Sequence, residues 1–165
     1  MNKLLTLAII LILIASGSAC SVRPLQPGDK IGEMELLDFC EGTNIVEVCP
    51  YESLLDGTCK VVATDFLWVS AGWTERTTEE LELTWKDSSW KMFFDNNEVD
   101  IEAFGTYDID IQDPENGPIK GRVWNFCVGN ITPGIHHVSY EHTFKYGSRP
   151  GFKIENWTFT VVNVE

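Results

Sequence analysis

Basic side chains are scarce in this 165-residue chain: 12 Lys and Arg stand against 25 Asp and Glu, a formal charge of −13. A surface of that sign repels nucleic acid and anionic lipid head groups, so neither is expected as a partner. The charge by itself selects no ligand, and solubility is its plainest role. Histidine is rarer still, with three residues, and no C-x-x-C pair occurs. Zinc and thioredoxin-type chemistry therefore lack a ligand set. There is no H-E-x-x-H, G-x-S-x-G, phosphate-binding loop or dinucleotide glycine pattern, so the chain is read as a non-enzyme. Long apolar runs are also missing, with one exception at the N-terminus.

That exception begins after Lys3 and runs from Leu4 to Ala15, broken only by Thr6. A bilayer span needs roughly 20 residues, and this run is shorter. The small residues Ser16, Gly17, Ser18 and Ala19 then lead into Cys20. The stretch resembles a bacterial lipoprotein signal peptide, in which the cysteine that closes the lipobox becomes the lipidated N-terminus. The resemblance implies a signal peptide over 1–19, lipidation of Cys20, and export to the extracytoplasmic face of a bacterial membrane. An ordinary secretory signal cut near Ala19 is the alternative. Residues 20–30, with Pro24, Pro27 and Gly28, read as the lipidated end and a tether. Ten extended residues reach about 33 Å, which keeps the domain over 31–165 close to the bilayer.

With Cys20 committed to lipid, Cys40, Cys49, Cys59 and Cys127 remain. An even count in an exported chain reads as two disulfides with three possible pairings. Cys40–Cys49, closing a short loop, with Cys59–Cys127, joining distant strands, is the preferred set. Cys40–Cys59 is its main rival.

Strand signals recur along the domain. Residues 31–39 form a candidate first strand, and 40–59 read as a loop or small hairpin with turn residues Gly42, Pro50 and Gly57. Residues 60–73 (KVVATDFLWVSAGW), rich in β-branched and aromatic side chains, predict a central strand. Thr77 and Glu80 offer a capping box for a short helix over 78–87, while the alternation Leu81, Leu83, Trp85 fits a strand equally well. Asp95-Asn96-Asn97-Glu98 is a hairpin signal, 108–117 an acidic loop, and 122–128 a strand. Residues 135–146 and 156–164 complete a last hairpin. Together these predict an all-β fold: an antiparallel sandwich of about seven strands with at most one short helix. The closing pattern T-P-G-I-H-H-V-S-Y, a loop, then W-T-F-T-V resembles the last two strands of bacterial immunoglobulin-like domains. That resemblance implies an immunoglobulin-like fold and an extracellular setting, with Trp68 or Trp73 as the buried tryptophan. It transfers no functional residue.

Six Trp, nine Phe and four Tyr are a heavy aromatic load, most of it expected in the core. Trp73, Trp85 and Trp90 lie near turns and are the candidates for an exposed platform that stacks sugar rings or an apolar partner. Asp108, Asp110 and Asp113 are candidate calcium ligands, although Asp113 stands where the EF-hand loop requires glycine, and solvated acids are the preferred reading. No other cofactor is expected. His136 and His142 share a strand face but lie ~20 Å apart, too far to hold one ion. The expected function is a membrane-anchored extracytoplasmic structural or protein-interaction module. The alternative is a carbohydrate-binding surface lipoprotein.

Overall fold

In the computed structural model, residues 23–62, 66–113, 117–144 and 151–163 are described. The expected leader and Cys20 lie outside these residues. Alternation decides the architecture. Along β9 (Gly117–Gly129), Trp124, Phe126 and Val128 turn to a buried core, while Asn125 and Cys127 turn the opposite way. The first sheet places β9 between β5 (Phe66–Glu75) on one side and β2 (Met34–Leu37) and β8 (Thr106–Asp113) on the other. Its outer members are β1 (Lys30–Ile31) beside β2 and β3 (Thr43–Asn44) beside β5. The second sheet runs β4 (Cys59–Val62), β11 (Gly151–Val162), β10 (Gly134–Phe144), β6 (Ser88–Phe94) and β7 (Asn97–Val99). The sheets face each other across one core, where the rings of Phe94 and Phe126 meet edge to face at 5.9 Å. Each such fully buried side chain contributes roughly 1.5–3 kcal/mol.

The all-β expectation holds, and two of its details do not. Both sheets are mixed, because β3 runs parallel to β5 and β4 parallel to β11. Eleven strands and four helices occur among the described residues. The run 60–73 divides into β4 and β5, which join different sheets: β4 pairs with β11 and β5 with β9. The predicted first strand is likewise two, since Gly32 at φ 63° turns the chain so that β1 pairs back on β2. The acidic segment from Asp108 is not a loop but most of β8, in register with β9 from Thr106↔Trp124 to Asp113↔Gly117.

Residues 40–59 are more regular than a loop. Asn44 Oδ1 accepts from the Val46 N–H at 3.2 Å and caps α1 (Ile45–Val48). Pro50 precedes α2 (Tyr51–Asp56), which ends at Gly57 in the left-handed conformation at φ 75°. Under α2, the buried Glu155 accepts from the Tyr140 hydroxyl and pairs with Lys153. The capping box forms as expected: Thr77 Oγ1 accepts from Glu80 N–H, and Glu80 accepts from Thr77 N–H, both at 3.2 Å, at the start of α3 (Thr78–Lys86). Asp95 and Asn96, both at positive φ, turn β6 into β7 where the sequence signals a hairpin. A last short helix, α4 (Ile101–Phe104), leads into β8.

The disulfides correct the preferred pairing. Cys40 bonds Cys127 with Cα atoms 6.1 Å apart, and Cys49 bonds Cys59 with Cα atoms 5.7 Å apart. Cys127 points away from the core on β9, where the loop after β2 crosses it, so Cys40 is its neighbour. Cys59 opens β4, one short helix beyond Cys49. The segment 40–49 is thus clasped at one end to the first sheet and at the other to the second.

Much of the predicted tether belongs to the domain. Arg23 pairs with Asp29 at 2.7 Å, and Leu25 packs on the core edge. The Leu25 N–H donates to the Glu98 carbonyl at 2.7 Å, and its own carbonyl accepts from Asp100 N–H at 2.8 Å. Leu25 therefore covers the outer edge of β7, an edge that would otherwise offer unpaired backbone groups.

Candidate functional site

On the face of the first sheet that turns away from the core, Trp68 lies opposite Cys127 and Ser70 opposite Asn125. Tyr107 joins the same face from β8, opposite Val123. The Cys40–Cys127 bond pulls the loop 38–44 across this surface. Gly42 lets the loop seat closely on β5, since a Cβ there would meet the Phe66 carbonyl oxygen at 2.6 Å. The result is a cleft of about 470 Å3, within the range of small-molecule sites.

Its walls combine three kinds of group. Phe39, 72% exposed, meets Trp68 edge to face, with ring centroids 5.9 Å apart and planes at 81°. The half-exposed Tyr107 adds a third ring. Asp38 and Glu47 bring two exposed carboxylates, and among the described residues the lining contains no Lys, Arg or His. Asn125 forms the floor. It is 6% exposed, its Nδ2 donates to the Tyr107 hydroxyl, and its Oδ1 has no hydrogen-bond partner. Directly across the sheet, the buried Ser70 Oγ is also unpartnered. A buried polar atom left unpaired costs about 1–3 kcal/mol, so the unpaired Oδ1 of Asn125, a residue that lines the cleft, is a candidate contact for a ligand; Ser70, its neighbour on β5, does not line the cleft.

The residues singled out in the sequence lie elsewhere. Trp73, Trp85 and Trp90 are all half-buried and gather at one end of the space between the sheets. His142 is their centre: it stacks on Trp90 at 3.8 Å and meets Trp73 at 4.9 Å. Trp85 extends the cluster to Trp90 at 5.8 Å and Trp124 at 5.3 Å. These rings close the end of the core and do not line the cleft.

The calcium candidates sit on β8, where Asp108 and Asp110 share one face and Asp113 takes the other. Arg122 grips Asp108 through Nε at 2.6 Å and Nη2 at 2.9 Å, and Lys120 holds Asp110 at 2.6 Å. Hydrogen bonding from Arg122 keeps the Asp108 carboxyl below the usual carboxylate range. No group of three or more His, Cys, Asp or Glu able to hold a metal occurs among the described residues.

Phe39, Trp68, Tyr107 and Asn125 were not legible as a site. The available signal was Asn125, the lone polar amide within the apolar strand R-V-W-N-F-C-V, on the same alternate row as Cys127.

Comparison with family models, curated proteins and solved structures finds no match to this chain.

Proposed function

We propose that this chain is an exported, membrane-anchored binding module of immunoglobulin-like build, whose ligand enters the cleft between Phe39, Trp68 and Tyr107. The observation that carries the reading is the buried Asn125 amide with its unpartnered Oδ1 beneath an aromatic corner. Among the described residues of the cleft no nucleophile is paired with a base, which favours binding over catalysis.

Strand order supports the immunoglobulin-like build. Strands β5, β9 and β8 neighbour one another as B, E and D do, and β11, β10, β6 and β7 as G, F, C and C′ do. In that correspondence Trp90 takes the place of the strand-C tryptophan, rather than Trp68 or Trp73. The apolar run ending at Cys20 supports export and lipid attachment. No helix among the described residues is long and apolar enough to cross a membrane.

Two experiments test this. In a ligand-observed NMR screen of amines, neutral sugars and aromatic acids, binders to wild type should lose contact with Phe39→Ala. A screen whose every binder ignores that substitution overturns the cleft as the site. For the anchor, wild type should partition into detergent and Cys20→Ala should leave the membrane fraction. An exported wild type that is entirely soluble overturns lipidation.

Carbohydrate binding is the second reading. The wide exposure of the Phe39 face favours it, because sugar rings stack on such faces.

A further inference from the structure

We infer that the cleft takes an organic ammonium, a protonated amine carried on a small apolar body; this deepens the proposed binding role and rests on it. Three features of the wall converge on that chemistry. The first is charge. Asp38 and Glu47 are exposed carboxylates in a lining that, among the described residues, holds no cationic side chain, on a protein whose formal charge is −13. An anionic ligand meets repulsion at every approach, whereas a cation is drawn in by the whole field.

The second feature is ring geometry. Phe39 and Trp68 stand at 81° to each other, so they form a corner, and Tyr107 lines the same cleft. A cation placed within such a corner meets the negative faces of aromatic rings, with the indole the strongest of them. The apolar body of the ligand then covers ring surface that is otherwise exposed to water.

The third feature is the floor. Asn125 Oδ1 is a buried acceptor without a donor. An N–H of a protonated amine supplies the missing donor. A quaternary ammonium has none to give and leaves the amide unsatisfied. A sugar hydroxyl could also donate, but it carries no charge and takes no advantage of the two carboxylates. The wall therefore selects for charge and N–H together.

The test compares isosteres on the full exported chain in mild detergent, followed by amide and indole NMR shifts. Phenethylammonium and 2-phenylethanol have the same shape and differ in charge. Phenethylammonium should bind about tenfold more tightly, as expected for a cation held on aromatic faces, and should shift the Trp68 indole and Asn125 side-chain signals. Salt should weaken it, and Asp38→Asn with Glu47→Gln, both exposed positions, should narrow the gap between the two ligands to what the aromatic faces alone supply. The N,N,N-trimethyl form of phenethylammonium should bind more weakly than the primary amine. If both isosteres bind equally and shift the cleft signals, the ammonium assignment is overturned while the binding site stands. Cellobiose shifting those signals where phenethylammonium does not has the same meaning and favours a glycan ligand. If none of these compounds moves Trp68 or Asn125 at millimolar concentration, both the ammonium assignment and the cleft as a ligand site are overturned.

Discussion

The imidazole of His142 lies flat on the indole of Trp90, with ring centroids 3.8 Å apart and planes 9° apart. The histidine is 1% exposed, and its Nε2 meets Ser88 Oγ at 3.1 Å. Burial, reinforced by the positive charge of Lys153, pushes its pKa down to about 4. An unfolded chain would take up this proton below about pH 6.5, whereas the folded protein resists until about pH 4. The stability associated with neutral His142 is thus full above about pH 6.5 and is lost as the pH falls toward 4, by up to ~3 kcal/mol. Urea unfolding between those limits should show this slope in wild type and a flatter one in His142→Phe. Equal slopes would refute the assignment.

His136 behaves in the opposite sense. Its Nδ1 meets Asp95 at 2.8 Å and its Nε2 meets the Thr132 carbonyl at 2.7 Å. Both partners accept, so both ring nitrogens carry protons. Burial alone would lower its pKa, but the hydrogen bonds to Asp95 and Thr132 outweigh it and the value is raised. The associated stability is fully present below about pH 6.5 and is lost as the pH rises through the raised folded value. Ring-nitrogen NMR at about pH 6.5, where a free imidazole has lost half of its extra protons, should show His136 still mostly doubly protonated. A neutral tautomer there would exclude the prediction.

Non-reducing digestion should release one peptide pair joining Cys40 to Cys127 and another joining Cys49 to Cys59. A fragment linking Cys59 to Cys127 would contradict the fold. On chain-entropy grounds, the bridge spanning 87 residues should contribute about 4–5 kcal/mol and the one spanning 10 about 3 kcal/mol. Replacing Cys40 and Cys127 together should therefore lower the melting temperature more than replacing Cys49 and Cys59. It should also abolish cleft binding, because the rim loop loses its attachment to β9.

Alanine substitution separates the two aromatic groups. Trp85 and Trp90 pack against the core, so each should cost about 3 kcal/mol when truncated. Phe39→Ala, at an exposed position, should change stability by less than about 0.5 kcal/mol. Thermal melts of the three variants check this directly. A stable Trp90→Ala would reopen the platform reading for that cluster.

Local chemistry was readable wherever one element carried it. The Asp95–Asn96 turn, the Thr77/Glu80 box and the long hairpin partners β10 and β11 each announce themselves within a few residues. The split between β4 and β5 did not, because both halves are rich in β-branched and aromatic residues and nothing in the run says which sheet each will join. The acids of β8 looked like a loop because their pairing cations, Lys120 and Arg122, come from the next strand. The cleft was hidden for a related reason. Trp68 and Asn125 could be placed on strands, but the side of the sheet that a loop would cover depends on Cys40 reaching Cys127, and spacing leaves three pairings open.

The backbone bridge at Leu25 changes what an anchor at Cys20 would mean. Five residues of fully extended chain cover about 17 Å, half of what the whole segment to Lys30 would allow. A lipidated protein would then be moored rather than leashed. The β7 edge would ride against the head groups, and the domain would have little room to roll or to search outward. A ligand would have to come to the membrane surface to be met.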